Sequence, residues 1–126
     1  EGYWVAGQET PASVIEARTG TATYSGTIVG DYVSGGVRED AGGSINLTAD
    51  FTNDRISGDM EFHTATTGMR PIPIESPIAS NGSFFQSEST YGFQGNFYGP
   101  NAEEVGGTAW AVTGDGAYNG VFRANQ

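Results

Sequence analysis

The chain has 126 residues, a formal net charge of −10, 37% hydrophobic residues, 20 glycines and no cysteine. That length fits one domain with one core, and the missing cysteines exclude a disulfide framework, zinc–thiolate sites and a thiol nucleophile. There is no lysine; the positive charges are Arg18, Arg38, Arg55, Arg70 and Arg123, and so acidic a chain is expected to repel nucleic acid and anionic lipid.

High glycine with low apolar content suits a sheet protein with one buried face and suits a helical bundle badly. No apolar run is long enough for a membrane helix. The sequence opens on Glu1, with no secretory leader in view, and is read as a mature product or an excised domain. Membrane attachment is then expected only through a lipid anchor lost from this sequence.

Tyr3-Trp4-Val5 opens the chain with large aromatics. Two readings stand, a ligand-stacking pair or a plug on the end of the fold. Thr10–Ser13 is a turn, and Val14–Ala17 a short helix or an extended lead-in. Thr21–Val33 is one long strand, or two joined near Gly26 or Gly30, with Tyr24, Ile28 and Tyr32 on one face. Val37–Asp40 is expected to be a polar loop between glycine pairs.

Ser44–Phe51 alternates Ile45, Leu47, Ala49 and Phe51 with polar residues, the pattern of a half-buried strand. Thr52–Arg55 turns the chain into Ile56–His63, with Ile56, Gly58, Met60 and Phe62 sharing a face. Thr64–Ser80 carries Pro71, Pro73 and Pro77 among isoleucines, which excludes a central strand. It reads as an irregular, extended edge segment or a long loop. Met69, Arg70, Ile72 and Ile74 are its candidate ligand-binding residues. The other reading turns the isoleucines inward to complete the core.

Ser83–Ser87 and Thr90–Tyr98 form a further strand pair, and Thr108–Thr113 and Ala117–Ala124 a closing hairpin. Between them, Gly95–Gly107 reads GNFYGPNAEEVGG. Pro100 has no amide hydrogen for a ladder, and Ala102-Glu103-Glu104 is expected to make one helical turn with its carboxylates early. The segment is therefore strand, tight helical corner, strand. The total is about eight strands, an all-β fold consistent with a small closed antiparallel barrel filled by side chains, Tyr24, Phe51, Phe62, Phe93, Trp110 and Phe122 among them.

Phe97-Tyr98-Gly99-Pro100-Asn101-Ala102-Glu103-Glu104-Val105-Gly106-Gly107, followed by a strand, a Gly-rich turn and Gly120-Val121-Phe122-Arg123-Ala124, resembles the C-terminal signature of the transferrin-binding-protein-like β-barrel domain of bacterial surface lipoproteins, with Arg123 where glycine is common. Gly20–Gly26 is similar to that family's first full strand, and Leu47–Phe51 with Ile56–Gly58 to its hairpin. The resemblance implies a single eight-stranded antiparallel barrel over residues 20–126, with residues 1–19 as an N-terminal extension packing on it. It gives Phe97, Tyr98, Gly99, Pro100, Asn101, Glu103, Glu104, Gly106 and Gly107 a structural role. It also implies a non-enzymatic binding or adhesion module at the bacterial outer-membrane surface or secreted, monomeric, with a protein ligand such as a host iron protein. A display or export barrel without its own ligand, and a small-ligand carrier, are the alternatives.

The residues themselves offer little chemistry. His63 is the only histidine, and no nucleophile elbow accompanies it. Glu103 and Glu104 are adjacent and point apart, unlike a glycosidase pair. Asp50, Asn53 and Asp54, like Asp115 and Asn119, lack calcium-loop spacing and read as turn formers. Haem ligation would fall to His63, Met60, Met69 or a tyrosine, without a histidine pair. The expectation is no catalytic residue, no metal and no cofactor.

Overall fold

The computed structural model describes residues 8–69 and 71–126. After helix α1 (Ala12–Ala17) come β1 (Thr21–Ser34), β2 (Val37–Asp50), β3 (Arg55–His63), β4 (Ile72–Pro77), β5 (Phe84–Ser87), β6 (Tyr91–Tyr98), β7 (Glu104–Val112) and β8 (Ala117–Asn125). They form one eight-stranded antiparallel sheet in the order β4-β3-β2-β1-β8-β7-β6-β5. The sheet curls until its two edges, β4 and β5, face each other, so the fold is a nearly closed barrel. The Tyr3–Val5 aromatics lie outside the described residues.

Curling requires β1 and β8 to cross closely. A Cβ at Gly26 would stand 1.7 Å from the Arg123 carbonyl oxygen, so only glycine admits that approach. β1 nevertheless runs unbroken, with Tyr24, Ile28 and Tyr32 inside. The β2–β3 hairpin pairs Ile45 with Met60 and Ala49 with Ile56, and Ile45, Leu47, Ala49, Ile56, Met60 and Phe62 are all buried. The Asp50 carboxylate accepts from the Thr52 and Asn53 amides at 3.1 Å and from Asn53 Nδ2 at 2.8 Å. These bonds, the Asn53 side chain first, hold its acidity stronger than an ordinary aspartate's.

Two aromatic layers fill the interior. Phe97 packs on Tyr24, Phe51 and Phe84, with centroids 5.2–5.8 Å apart, beneath α1. At the far end Tyr118 lies 4.3 Å from Tyr32 and 5.2 Å from Phe62. The outward positions of β1 and β3 are mostly Thr, Ser, Asp and Glu. An apolar inside and a largely polar outside are the reverse of a membrane-spanning barrel.

Three expectations are corrected. Val37–Asp40 is the start of β2, because Gly35 and Gly36 make the turn by themselves at φ of 58° and 82°. Ala102–Glu104 is no helical turn: Ala102 sits at φ 60°, and Glu104 already belongs to β7. Trp110 is outside the barrel, since Ala109 and Ala111 take the inward parity of β7.

Candidate functional site

The proline-bearing segment becomes the edge strand β4, paired with β3 through Gly58↔Ile74 and Ile56↔Ser76. Backbone groups alternate between the two sides of a strand. The Glu75 amide points towards β5, where it meets Gln86 Oε1 at 3.0 Å. Pro73 and Pro77 share that side and have no amide hydrogen. The free edge of β4 thus offers acceptors and a single donor, and no ladder can form across the gap. Side chains close it instead: the Phe85 amide donates to Ser76 Oγ at 2.9 Å, and Ser76 is only 2% exposed.

Sequence reasoning missed this seam and the role of Ser76 and Gln86 in it. A signal was present in Phe84-Phe85, since adjacent residues of a strand face opposite ways. Phe84 is buried and Phe85 is 63% exposed. Phe85 lines two of three outer clefts at the seam. One of about 620 Å³ is lined by Glu9, Ser76, Phe84, Gln94 and Tyr98 among others. The one without Phe85, of about 560 Å³, lies across β3, β4, β5 and β6, between Asp59, Pro73, Glu75, Gln86 and Tyr91. A third of about 280 Å³ runs from Phe85 to Trp110.

Of the candidate ligand-binding residues, Ile74 is 3% exposed and part of the core, because it takes the inward parity of β4. Met69 and Ile72 are half-buried and pack against the core. Arg70 lies outside the described residues. The outward positions of this strand are Pro73, Glu75 and Pro77, so it shows the clefts its polar and proline side. Glu75 pairs with Arg55 at 3.0 Å. A second exposed apolar group, Val29, Val33 and Val112, lies on the outer face of β1 and β7, with Val29 beside Val121.

The glycine-rich corner is built as a brace. Glu103 Oε1 accepts from the Asn101 amide at 2.9 Å, and Arg123 donates to Glu104 at 3.2 Å. The Tyr24 hydroxyl donates to the Ala102 carbonyl at 2.6 Å. Burial pushes the Tyr24 phenol above its ordinary value, against the opposing pull of the Gln126 amide and Arg18. Arg18 lies 4.7 Å over the Phe51 ring and also donates to the Asn101 carbonyl. His63 is exposed at the end of β3.

Residues 17–126 match the family model described as the C-lobe and N-lobe β-barrels of Tf-binding protein B. The chain belongs to that family. Among solved structures, this family barrel is similar to the isotype 1 transferrin-binding protein B of serogroup B Neisseria meningitidis, at 26% identity and TM-score 0.69, over 93% of this chain and 27% of that one. The corresponding protein of Haemophilus parasuis Hp5, as its Trp-176-Ala mutant, shares the fold at 21% identity and TM-score 0.67, over 94% and 28%. So does an intact Ap-TbpB with N and C lobes, at 22% identity and TM-score 0.67, over 94% and 28%. The chain therefore spans little more than a quarter of the length of these relatives. No curated protein matches it.

Proposed function

We propose that this barrel is a non-enzymatic protein-binding module displayed at a bacterial cell surface, and that its partner face is the outer seam between β4 and β5. The observation that carries the reading is the contrast between a filled interior and a cleft-lined exterior. Tyr24, Phe62, Phe93, Phe97 and Phe122 are at most 2% exposed, whereas Phe85 stands out between the clefts. Such a barrel is a rigid scaffold with its contacts outside, which weighs against a small-ligand carrier.

Membership of a family named for transferrin binding supports a protein ligand. The edge strand Ile72–Pro77 forms one bank of the face, with Ile74 as its internal anchor.

The test is capture on the immobilised domain, from serum and from the source organism's envelope fraction, read by mass spectrometry. The reading expects saturable retention of a protein that is lost with Phe85→Ser. If a folded domain retains nothing from either pool, the barrel is a display unit without a ligand.

A further inference from the structure

The chemistry of the seam narrows the partner, on the reading that the seam is the binding face. Three features converge there. The first is hydrogen-bond polarity. Pro73 and Pro77 remove two donors from the free edge of β4, and the Glu75 amide is taken by Gln86. Across the gap, the Phe85 amide is taken by Ser76. The Pro77 carbonyl accepts from Ser76 Oγ at 2.7 Å, so the acceptors left on that edge are the Pro73 and Glu75 carbonyls, which need a donor from elsewhere.

The second feature is charge. Glu9, Asp59 and Glu75 line the clefts, and no arginine stands among the described lining residues. The ion pair with Arg55 engages one of the three carboxylates. The third is aromatic surface. Phe85 is 63% exposed, and half-buried Tyr91 and Trp110 line the flanking clefts. Carbonyl acceptors, carboxylates and open ring faces are each matched by one chemical group, a cation with several N–H donors.

We infer that the β4–β5 seam receives an extended, arginine-rich segment of a partner protein, its guanidinium groups meeting the Glu9, Asp59 and Glu75 carboxylates and stacking on Phe85. An extended chain suits the site because the clefts run on both sides of the four-residue strand β5 rather than forming one deep hole. The missing donors of the β4 edge keep that chain from simply joining the sheet, so recognition falls to its side chains.

The experiment uses the whole domain and three probes: the peptide Ac-(Val-Arg)4-NH2, its glutamate counterpart, and spermine. Binding is followed by isothermal titration and by amide chemical shifts. The expected result is saturable binding of the arginine peptide, shifts centred on Gly58, Glu75, Phe85 and Gln94, and weakening with salt. Phe85→Ser and the double change Glu9→Gln with Asp59→Asn should each weaken it at least about tenfold, equivalent to about 1.4 kcal/mol, at unchanged fold.

The inference is overturned if the peptide does not bind. It is equally overturned if spermine binds as tightly as the peptide, or if shifts spread over the whole acidic surface and Phe85→Ser changes nothing. Failure here, with a captured protein still lost on Phe85→Ser, removes the cationic assignment and leaves the binding face. Capture that is indifferent to Phe85→Ser removes the face itself.

Discussion

The buried Ser76 hydroxyl accepts the Phe85 amide at 2.9 Å across the one gap in the sheet that has no ladder. Ser76 also donates to the Pro77 carbonyl at 2.7 Å. Ser76→Ala leaves both backbone groups short of a partner in a part-buried site. The expected loss is about 1–3 kcal/mol, seen as a melting temperature several degrees lower. An unchanged melt would mean that the seam contributes nothing to closure.

Pro73 and Pro77 act as guards of the open edge. Replacing both by threonine restores two donors on the side facing β5. The double variant should form concentration-dependent dimers in sedimentation velocity where the parent stays monomeric. A monomeric double variant would show that the clefts, and not the prolines, prevent edge pairing.

Close crossing of β1 and β8 predicts an asymmetry between two glycines. Gly26→Ala forces a Cβ onto the Arg123 carbonyl and should cost about 3 kcal/mol or more. Gly114→Ala meets nothing within 4 Å and should stay within about 0.5 kcal/mol of the parent. Chemical denaturation of the two variants compares them directly.

Tyr24 and Tyr98 predict an alkaline limit to stability. Burial raises both phenols, with Glu9 adding to Tyr98. A group whose acidity is weakened by folding stabilises the fold fully below its unfolded value, and that contribution is lost as pH rises through the folded value. Melting temperature should therefore hold to about pH 10 and fall beyond it. Tyr24→Phe should start lower, having lost the bond to Ala102, and fall less steeply.

Much of the barrel was legible because strict alternation states which residues go in. Ile45 to Phe51 and Ile56 to Phe62 read directly as a hairpin, and they are one. At the corner the two flanking strands are legible in the sequence, but the conformation between them, expected to be helical, is not. An alanine at φ 60° is held there by the Tyr24 hydroxyl from a strand 78 residues away, which no local pattern reports. Trp110 misled through size: a large aromatic suggests a core, while parity beside Ala109 and Ala111 decides otherwise. The seam was illegible because it depends on which strands meet at the end of the curl. Prolines marked β4 as an edge, and nothing in the sequence named β5 as the edge it would face.

The most direct test of the seam as the working face is hydrogen exchange of the whole domain with and without a captured protein partner. New protection confined to Ile72–Pro77, Phe84–Ser87 and the adjoining part of β6 is the predicted result. Protection centred instead on Val29, Val33 and Val112, with β4 and β5 unchanged, would place the partner on the opposite valine-bearing face and contradict the account.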